Sequence, residues 1–284
     1  MPDKDYIELG SGLFVNARFR HDFEAMGLGS LEDVFSFSGG RALVKDNLGV
    51  HRSRIVFVLP CSGTTVFLKR YDKPPITGQL KNWFQHRRRA SSMSFDLDAA
   101  ESLSKAGIPV AEVICYGRQW GLCFEKRSFI GTRKIDNAES LERKLPGYFY
   151  GHKTPETLRS RRRFISNLAR FAHKFHQTGY RHRDFYFCHI FCDHYCRFHL
   201  IDLHRVFKPR ILKNRFRIKD IAQLCYSARG SFFSRTDRLR FYLSYAQTKK
   251  LRRRDKAFIR KVITRVHKMA RHDSRHGRTV PFSS

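Results

Sequence analysis

Acidic residues are scarce in this 284-residue chain. It carries 25 Asp and Glu against 56 Lys and Arg, a formal net charge of +31. Such a field attracts polyanions, whether nucleic acid, an anionic membrane or phosphorylated substrates, without choosing among them. Long apolar runs are also missing. No stretch approaches the roughly 18 apolar residues of a spanning helix. Met1-Pro-Asp-Lys-Asp-Tyr6 lacks the apolar core of a secretory leader. The expected location is therefore the cytosol, with at most a peripheral place on a membrane. Cysteine is limited to seven scattered residues, an odd number that suits reduced thiols and not a disulfide framework. No internal repeat and no low-complexity linker is visible. What is present is enough for a fold: 41% hydrophobic residues, on a chain long enough to bury a core as one domain or two lobes.

The most specific stretch is Tyr180-Arg-His-Arg-Asp-Phe-Tyr-Phe-Cys-His189, followed by Leu200-Ile-Asp-Leu-His-Arg205. It places Asp184 in a basic, aromatic loop and Asp202 after an apolar, strand-like run. One carboxylate can orient a hydroxyl nucleophile, and the other can hold a metal bound to nucleotide phosphates. His182-Arg183-Asp184 fits the H-R-D-x-x-x-x-N loop of kinase-like phosphotransferases, with His189 at the Asn position. Cys188, Cys192 and Cys196, beside His189 and His194, invite a zinc reading. Their spacing is not C-x-x-C and no second ligand pair follows, so small buried residues around a loop are the preferred reading.

The pattern of elements is strand-rich first and helical later. Ile55–Leu59 and Thr64–Lys69, separated by Pro60-Cys-Ser-Gly63, predict a hairpin. Earlier strands are expected over Ser36–Val44 and Val50–Arg54, and later ones over Val113–Tyr116 and Leu122–Glu125. Phe95–Ala106 predicts a helix stopped by Gly107, with Pro109 beyond it. Phe164, Ile165, Leu168, Phe171, Ala172 and Phe175 recur at helical spacing within 161–177. Ile218–Ser227 and most of Arg235–Met269 are expected to be helical. The order is that of an α+β protein.

These motifs together resemble the lipopolysaccharide core sugar kinases of the Kdo/WaaP family, nearest its heptose(I) kinase branch. That branch also places Cys-His where protein kinases have x-Asn. Phe67-Leu-Lys-Arg-Tyr71, Gly107-Ile-Pro-Val110, Arg127-Ser-Phe-Ile130 and Lys219-Asp-Ile-Ala-Gln-Leu224 extend the resemblance over most of the chain. It implies a bilobal protein-kinase-like fold, with a strand-rich N-lobe over 1–131 and a larger helical C-lobe over 132–284. The implied cofactors are ATP and Mg²⁺. The implied acceptor is a lipid-linked core saccharide, reached at the cytoplasmic face of the inner membrane of a Gram-negative bacterium.

The resemblance assigns roles by position. Lys69 would neutralise α/β-phosphate oxygens, while Arg70 is expected at an exposed strand end. Asp184 would accept or orient the proton of the sugar hydroxyl, and Asp202 would bind Mg²⁺. His189 is open between a phosphate contact and a support for Asp184, since imidazole suits softer metals than Mg²⁺. Arg183 could pair with an anion or pack in the loop. His204-Arg205 stands where protein kinases have Phe-Gly, and Arg205 is open between a phosphate contact and a structural ion pair. Asp220 resembles the helix aspartate that braces the catalytic loop. Counting back from Gly107, the acidic partner of Lys69 falls on Asp96, with Asp98 and Glu101 competing. Ser38-Gly39-Gly40 is the only candidate for a phosphate loop, and Gly-Gly is as readily a turn.

The interval from Asp202 to Asp220 is too short for a regulated activation segment, and no Ala-Pro-Glu follows. Lys208, Arg210, Lys213, Arg215, Arg217 and Lys219 occupy it instead, where a polyanionic saccharide would dock. Leu80-Lys-Asn-Trp-Phe-Gln-His-Arg-Arg-Arg89 is a further basic patch. Trp83 and Phe84 there would either dip into lipid headgroups or belong to an ordinary amphipathic insertion. The basic stretch 249–275 is a solvated helix face or a polyanion surface. Three functions follow: a kinase acting on lipopolysaccharide core, a kinase of the same fold acting on a small sugar, aminoglycoside or protein, and a non-catalytic polyanion- or membrane-binding pseudokinase. Retention of Lys69, Asp184 and Asp202 disfavours the last, and with it nucleic-acid binding. Sequence leaves the oligomeric state open.

Overall fold

The computed structural model describes residues 5–43, 51–149, 154–228 and 232–281. The chain forms two compact units, residues 1–104 with 110–135 and residues 105–109 with 136–284.

In the first unit, β1 (Tyr6–Gly10), β2 (Leu13–Asn16), α1 (Arg20–Ala25) and α2 (Leu31–Ser36) precede the expected hairpin. Then come β3 (Arg41–Ala42), β4 (Arg52–Val58), β5 (Thr65–Asp72), α3 (Ile76–His86), α4 (Ser92–Lys105), β6 (Val113–Trp120) and β7 (Glu125–Arg133). The strands make one antiparallel sheet in the order β1-β2-β6-β7-β5-β4-β3. Its core includes Leu13, Val15, Phe23, Phe57, Leu59, Val66, Leu68, Ile114 and Phe129. The β4–β5 turn is fixed by buried Asp22, whose Oδ1 accepts from the backbone N–H of Cys61 at 2.7 Å and Ser62 at 3.0 Å. Gly63 closes that turn at φ +65°, a conformation glycine adopts at no steric cost.

Several expectations are corrected here. Ser36 ends a helix, and only Arg41–Ala42 of the expected 36–44 segment is strand; Val44 and Val50 lie outside the described residues. Ser30 caps α2 by accepting from the Asp33 N–H, which fixes the start of the helix that Ser36 ends. Leu122–Cys123 is a turn, and the strand begins at Glu125. Arg70 is buried, not exposed, and donates to the Phe37 carbonyl at 2.5 Å. Trp83 is committed to the fold: its Nε1 donates to the Ala90 carbonyl at 2.7 Å, and its ring stacks on Phe124 at 5.5 Å. Arg89 lies against both Trp83 and Trp120, 5.7 and 5.0 Å from the ring centroids, and donates to the Cys123 carbonyl.

The second unit contains β8 (Ala138–Ser140), α5 (Leu141–Phe149), α6 (Pro155–Gln177), β9 (Ile190–Asp193), β10 (Phe198–Leu200), α7 (Lys213–Ser227), α8 (Arg235–Ala246) and α9 (Arg253–Arg275). Thr154 caps α6, with Pro155 in its first turn, and the chain leaves α6 through Gly179 at φ +84°. Most of 235–269 is helical as expected, in two helices separated after α8, where Gln247 adopts φ +50°. α6 lies against α8 and α7 against α9. Phe164, Ile165, Leu168, Ala172 and Phe175 fill the core side of α6. Arg161, at the start of that helix, pairs with Asp237 Oδ2 and lies 4.7 Å from the Phe149 centroid and 5.9 Å from that of Phe233. β10-β9-β8 form a small antiparallel sheet that frames the loop of interest.

Candidate active site

The loop after α6 is held by its backbone. Asp220 of α7 is fully buried, and its Oδ2 and Oδ1 accept from the N–H groups of His182 and Arg183, each at 2.9 Å. One turn further along α7, Gln223 accepts from the Phe185 N–H at 3.1 Å and donates to the Arg183 carbonyl at 2.6 Å. These bonds hold Arg183 at φ +69°, a left-handed conformation a non-glycine residue adopts at a cost on the order of 1 kcal/mol. The result is an outward Asp184 whose side chain is 22% exposed.

The second carboxylate is brought to the same place. His182 is buried and pairs through Nε2 with the Ile201 carbonyl at 3.1 Å, which joins the loop to the segment that follows β10. Burial holds its imidazole below the ordinary histidine pKa, so the neutral ring donates from Nε2. Asp202 follows at φ +56°, half-buried. His189 links the two residues: its Nδ1 is 2.8 Å from the Asp184 backbone carbonyl and its Nε2 is 3.9 Å from Asp202 Oδ2. A carbonyl only accepts, so Nδ1 carries the hydrogen. His189 thus supports the backbone of Asp184.

Cations surround Asp184. Arg205 Nη1 lies 2.9 Å from both of its carboxylate oxygens. Lys219 of α7 is pushed below the ordinary lysine value by burial and by the charge of Arg205, and it senses the charge of Asp184. Arg183 lies 5.5 Å from the Phe207 ring centroid. His204 sits with Arg205 in the short turn Leu203–Arg205, half-buried.

In the first unit, Lys69 of β5 pairs with Asp96 of α4, Nζ to Oδ1 at 3.1 Å and to Oδ2 at 3.2 Å. Tyr71 OH donates to Asp96 Oδ2 at 3.2 Å. Asp98 instead pairs with Arg88. Ser38, Gly39 and Gly40 precede β3 and do not lie in the β3–β4 connection, part of which (44–50) is outside the described residues. At Gly40 a Cβ would meet the Val56 carbonyl oxygen at 2.8 Å, so this glycine permits close strand packing.

Gln223, His176 and Tyr245 were not singled out by sequence reasoning. His176 Nε2 is 3.3 Å from Asp220 Oδ2, and its Nδ1 is 2.8 Å from Tyr245 OH. Gln223 lies three residues beyond Asp220, on the same helix face, and that spacing was the available signal. Nothing local marks His176 or Tyr245.

Among the described residues no group of three or more His, Cys, Asp or Glu is placed to hold a metal by itself. Mg²⁺ is commonly held by one or two carboxylates together with substrate phosphates and water, so Asp202 fits as its protein ligand.

Comparison with known proteins adds four findings. The model of the lipopolysaccharide kinase (Kdo/WaaP) family matches residues 49–245. The lipopolysaccharide core heptose(I) kinase WaaP of Pseudomonas aeruginosa is 28% identical over 181 residues, which are 61% of this chain and 61% of that protein. WaaP of Escherichia coli K12 is 26% identical over 191 residues, 65% of this chain and 71% of that protein. The chain therefore spans about three fifths of the Pseudomonas relative. A solved structure of WaaP in complex with acyl carrier protein superposes with a TM-score of 0.67 at 22% identity, over 90% of this chain and 98% of that one.

Proposed function

Because the chain belongs to the lipopolysaccharide kinase (Kdo/WaaP) family, we propose that it transfers the γ-phosphoryl group of ATP to a sugar hydroxyl of the lipopolysaccharide inner core, with heptose as the acceptor. The observation that carries this reading is His189, which reaches the Asp184 backbone carbonyl at 2.8 Å and lies 3.9 Å from the Asp202 carboxylate, so that one side chain links the Asp184 loop to Asp202.

Asp184 orients the acceptor hydroxyl and takes its proton as the new O–P bond forms and the bond from the γ-phosphorus to the bridging oxygen of the departing ADP breaks. Asp220 and Gln223 set the loop that presents it. Lys69, steadied by Asp96, binds phosphate oxygens as a point charge. Asp202 would hold Mg²⁺, which when bound neutralises phosphate charge. Arg205 and Lys219 keep the surroundings of Asp184 cationic, which favours a phosphorylated acceptor. Among the described residues no helix is long and apolar enough to cross a membrane. The proposed location is peripheral, at the cytoplasmic face of the inner membrane, where a lipid-linked acceptor is reached. The carrier protein bound to the solved relative makes acyl carrier protein a candidate partner.

The test is ATP consumption by the purified protein with and without lipopolysaccharide core. Stimulation by the core, abolished in Asp184→Asn, supports the reading. Equal stimulation by an aminoglycoside or a free sugar would move the acceptor elsewhere, and no turnover with any acceptor would leave the pseudokinase.

A further inference from the structure

Besides Val58 and Phe67 on the β4–β5 hairpin, the first unit leaves large apolar side chains in solvent on α3 and on the turn bound to it. On α3, Ile76, Leu80 and Phe84 recur at every fourth residue and are 52%, 48% and 89% exposed, and Leu122 in the β6–β7 turn is 101% exposed. That turn is bound to α3. Gln79 donates to the Glu125 carbonyl at 3.2 Å and accepts from its N–H at 2.9 Å, while Trp83 stacks on Phe124. One side of α3 is thus anchored and the other presents aliphatic and aromatic groups to water.

The charge around this stripe has one sign. From Lys73 to Arg89 the chain carries Lys73, Lys81, Arg87, Arg88 and Arg89 and no acidic residue. The nearby acids are engaged: Asp98 with Arg88, Asp72 with Arg127, and Glu125 buried against Ser92. A solvated helix usually turns its apolar stripe inward and mixes its surface charges. An apolar stripe rimmed by cations alone matches an anionic lipid interface. There apolar groups enter the acyl boundary while long basic stems keep their charges among the phosphates.

We propose that the exposed face of α3, with Leu122, docks this protein on an anionic lipid surface: Ile76, Leu80, Phe84 and Leu122 enter the headgroup–acyl boundary, and Lys81 and Arg87 contact lipid phosphates. Arg88 and Arg89 are excluded, because Arg88 pairs with Asp98 and Arg89 lies against two tryptophan rings. The inference deepens the membrane-facing part of the proposed function and rests on that part alone. Its readout is lipid binding and not phosphotransfer.

The experiment is sedimentation of the full chain with vesicles of phosphatidylcholine, alone or mixed with phosphatidylglycerol. Binding is expected to the anionic vesicles only, and to weaken when salt is raised toward about 1 M, where screening shortens to about 3 Å. Phe84→Glu combined with Leu80→Glu should lower binding by about tenfold or more, since charge and lost apolar burial both oppose insertion. Lys81→Gln with Arg87→Gln should lower it and flatten its salt dependence. These positions are exposed, so the thermal midpoint and ATP binding should stay at wild-type levels.

Wild-type vesicle binding in the Phe84/Leu80 variant overturns the proposal, as does failure of the unmodified chain to bind anionic vesicles. Loss of binding to purified acyl carrier protein with vesicle binding intact would overturn it too, giving the face to an acidic protein. A chain that binds vesicles as described but consumes no ATP leaves this surface standing and ends the kinase reading.

Discussion

Arg205 holds Asp184 through both carboxylate oxygens, each 2.9 Å from the same guanidinium nitrogen. The two residues stand at the ends of the interval that also contains His189 and Asp202. A carboxylate so held is fixed in rotamer. Arg205→Ala should therefore lower kcat by roughly tenfold, with ATP affinity little changed. Arg205→Lys should restore part of the rate. A large loss of ATP affinity with kcat unchanged would mean that Arg205 serves phosphate directly.

Asp184 and Asp202 should separate by phenotype. Asp184→Asn should cost about a hundredfold or more in turnover while nucleotide still binds, because positioning and proton acceptance are lost at the chemical step. Asp202→Asn should raise the Mg²⁺ concentration needed for half-maximal activity, since a hard anionic ligand is lost. Mg²⁺ titrations of steady-state rate, with nucleotide binding measured separately, check both. Near-normal turnover in the first variant, or unchanged metal dependence in the second, counts against the assignments.

Asp220→Ala should unfold the site before it alters the chemistry. It leaves the His182 and Arg183 N–H groups buried without their acceptor, at about 1–3 kcal/mol each. The midpoint of urea unfolding should fall accordingly. Asp220→Asn keeps one acceptor oxygen and should fall less. An unshifted midpoint in the alanine variant would remove Asp220 as the brace.

The buried histidines give the second unit an acid sensitivity. His176 and His182 are both held below the ordinary value of 6.5, chiefly by burial. The unfolded chain binds protons there before the folded one does. Their contribution to stability is thus present above pH 6.5 or so and is lost as pH falls through the folded values. Unfolding midpoints should decline from neutral pH toward mildly acidic pH, and His182→Gln should flatten that decline. A midpoint independent of pH across this range would contradict neutral buried rings.

The sequence was legible where local chemistry and local structure coincide. Pro60 and Gly63 mark the β4–β5 turn, and Phe164 through Phe175 mark α6, because turn geometry and helical period act over a few residues. The α+β class was readable for the same reason, from the order of those elements, and the kinase-like fold followed from the family resemblance of the motifs. Asp96 was placed by counting back from Gly107, and it does meet Lys69. Illegible features depend on distant partners. β1 and β2 gain their register from β6, which lies about a hundred residues on. Arg70 reads as a surface residue until the Phe37 carbonyl accepts from it. Trp83 was open between a headgroup contact and an ordinary amphipathic insertion until Phe124 stacks on it. The engagement of Arg205 with Asp184 was one of two open choices, since spacing does not tell which anion a guanidinium meets.

The seats of Arg89 and Arg161 bear on how this chain tolerates exchange of one basic residue for another. Both guanidiniums lie against aromatic rings while bonding to carbonyl or carboxylate oxygen. An ammonium has no flat face to lie there and lacks the fork that serves two acceptors. A recoded chain with lysine at every arginine would keep its formal charge and its solubility in water, yet lose two of the struts that fix α3 and α6. Arginine at these places is a packing residue that happens to be ionised.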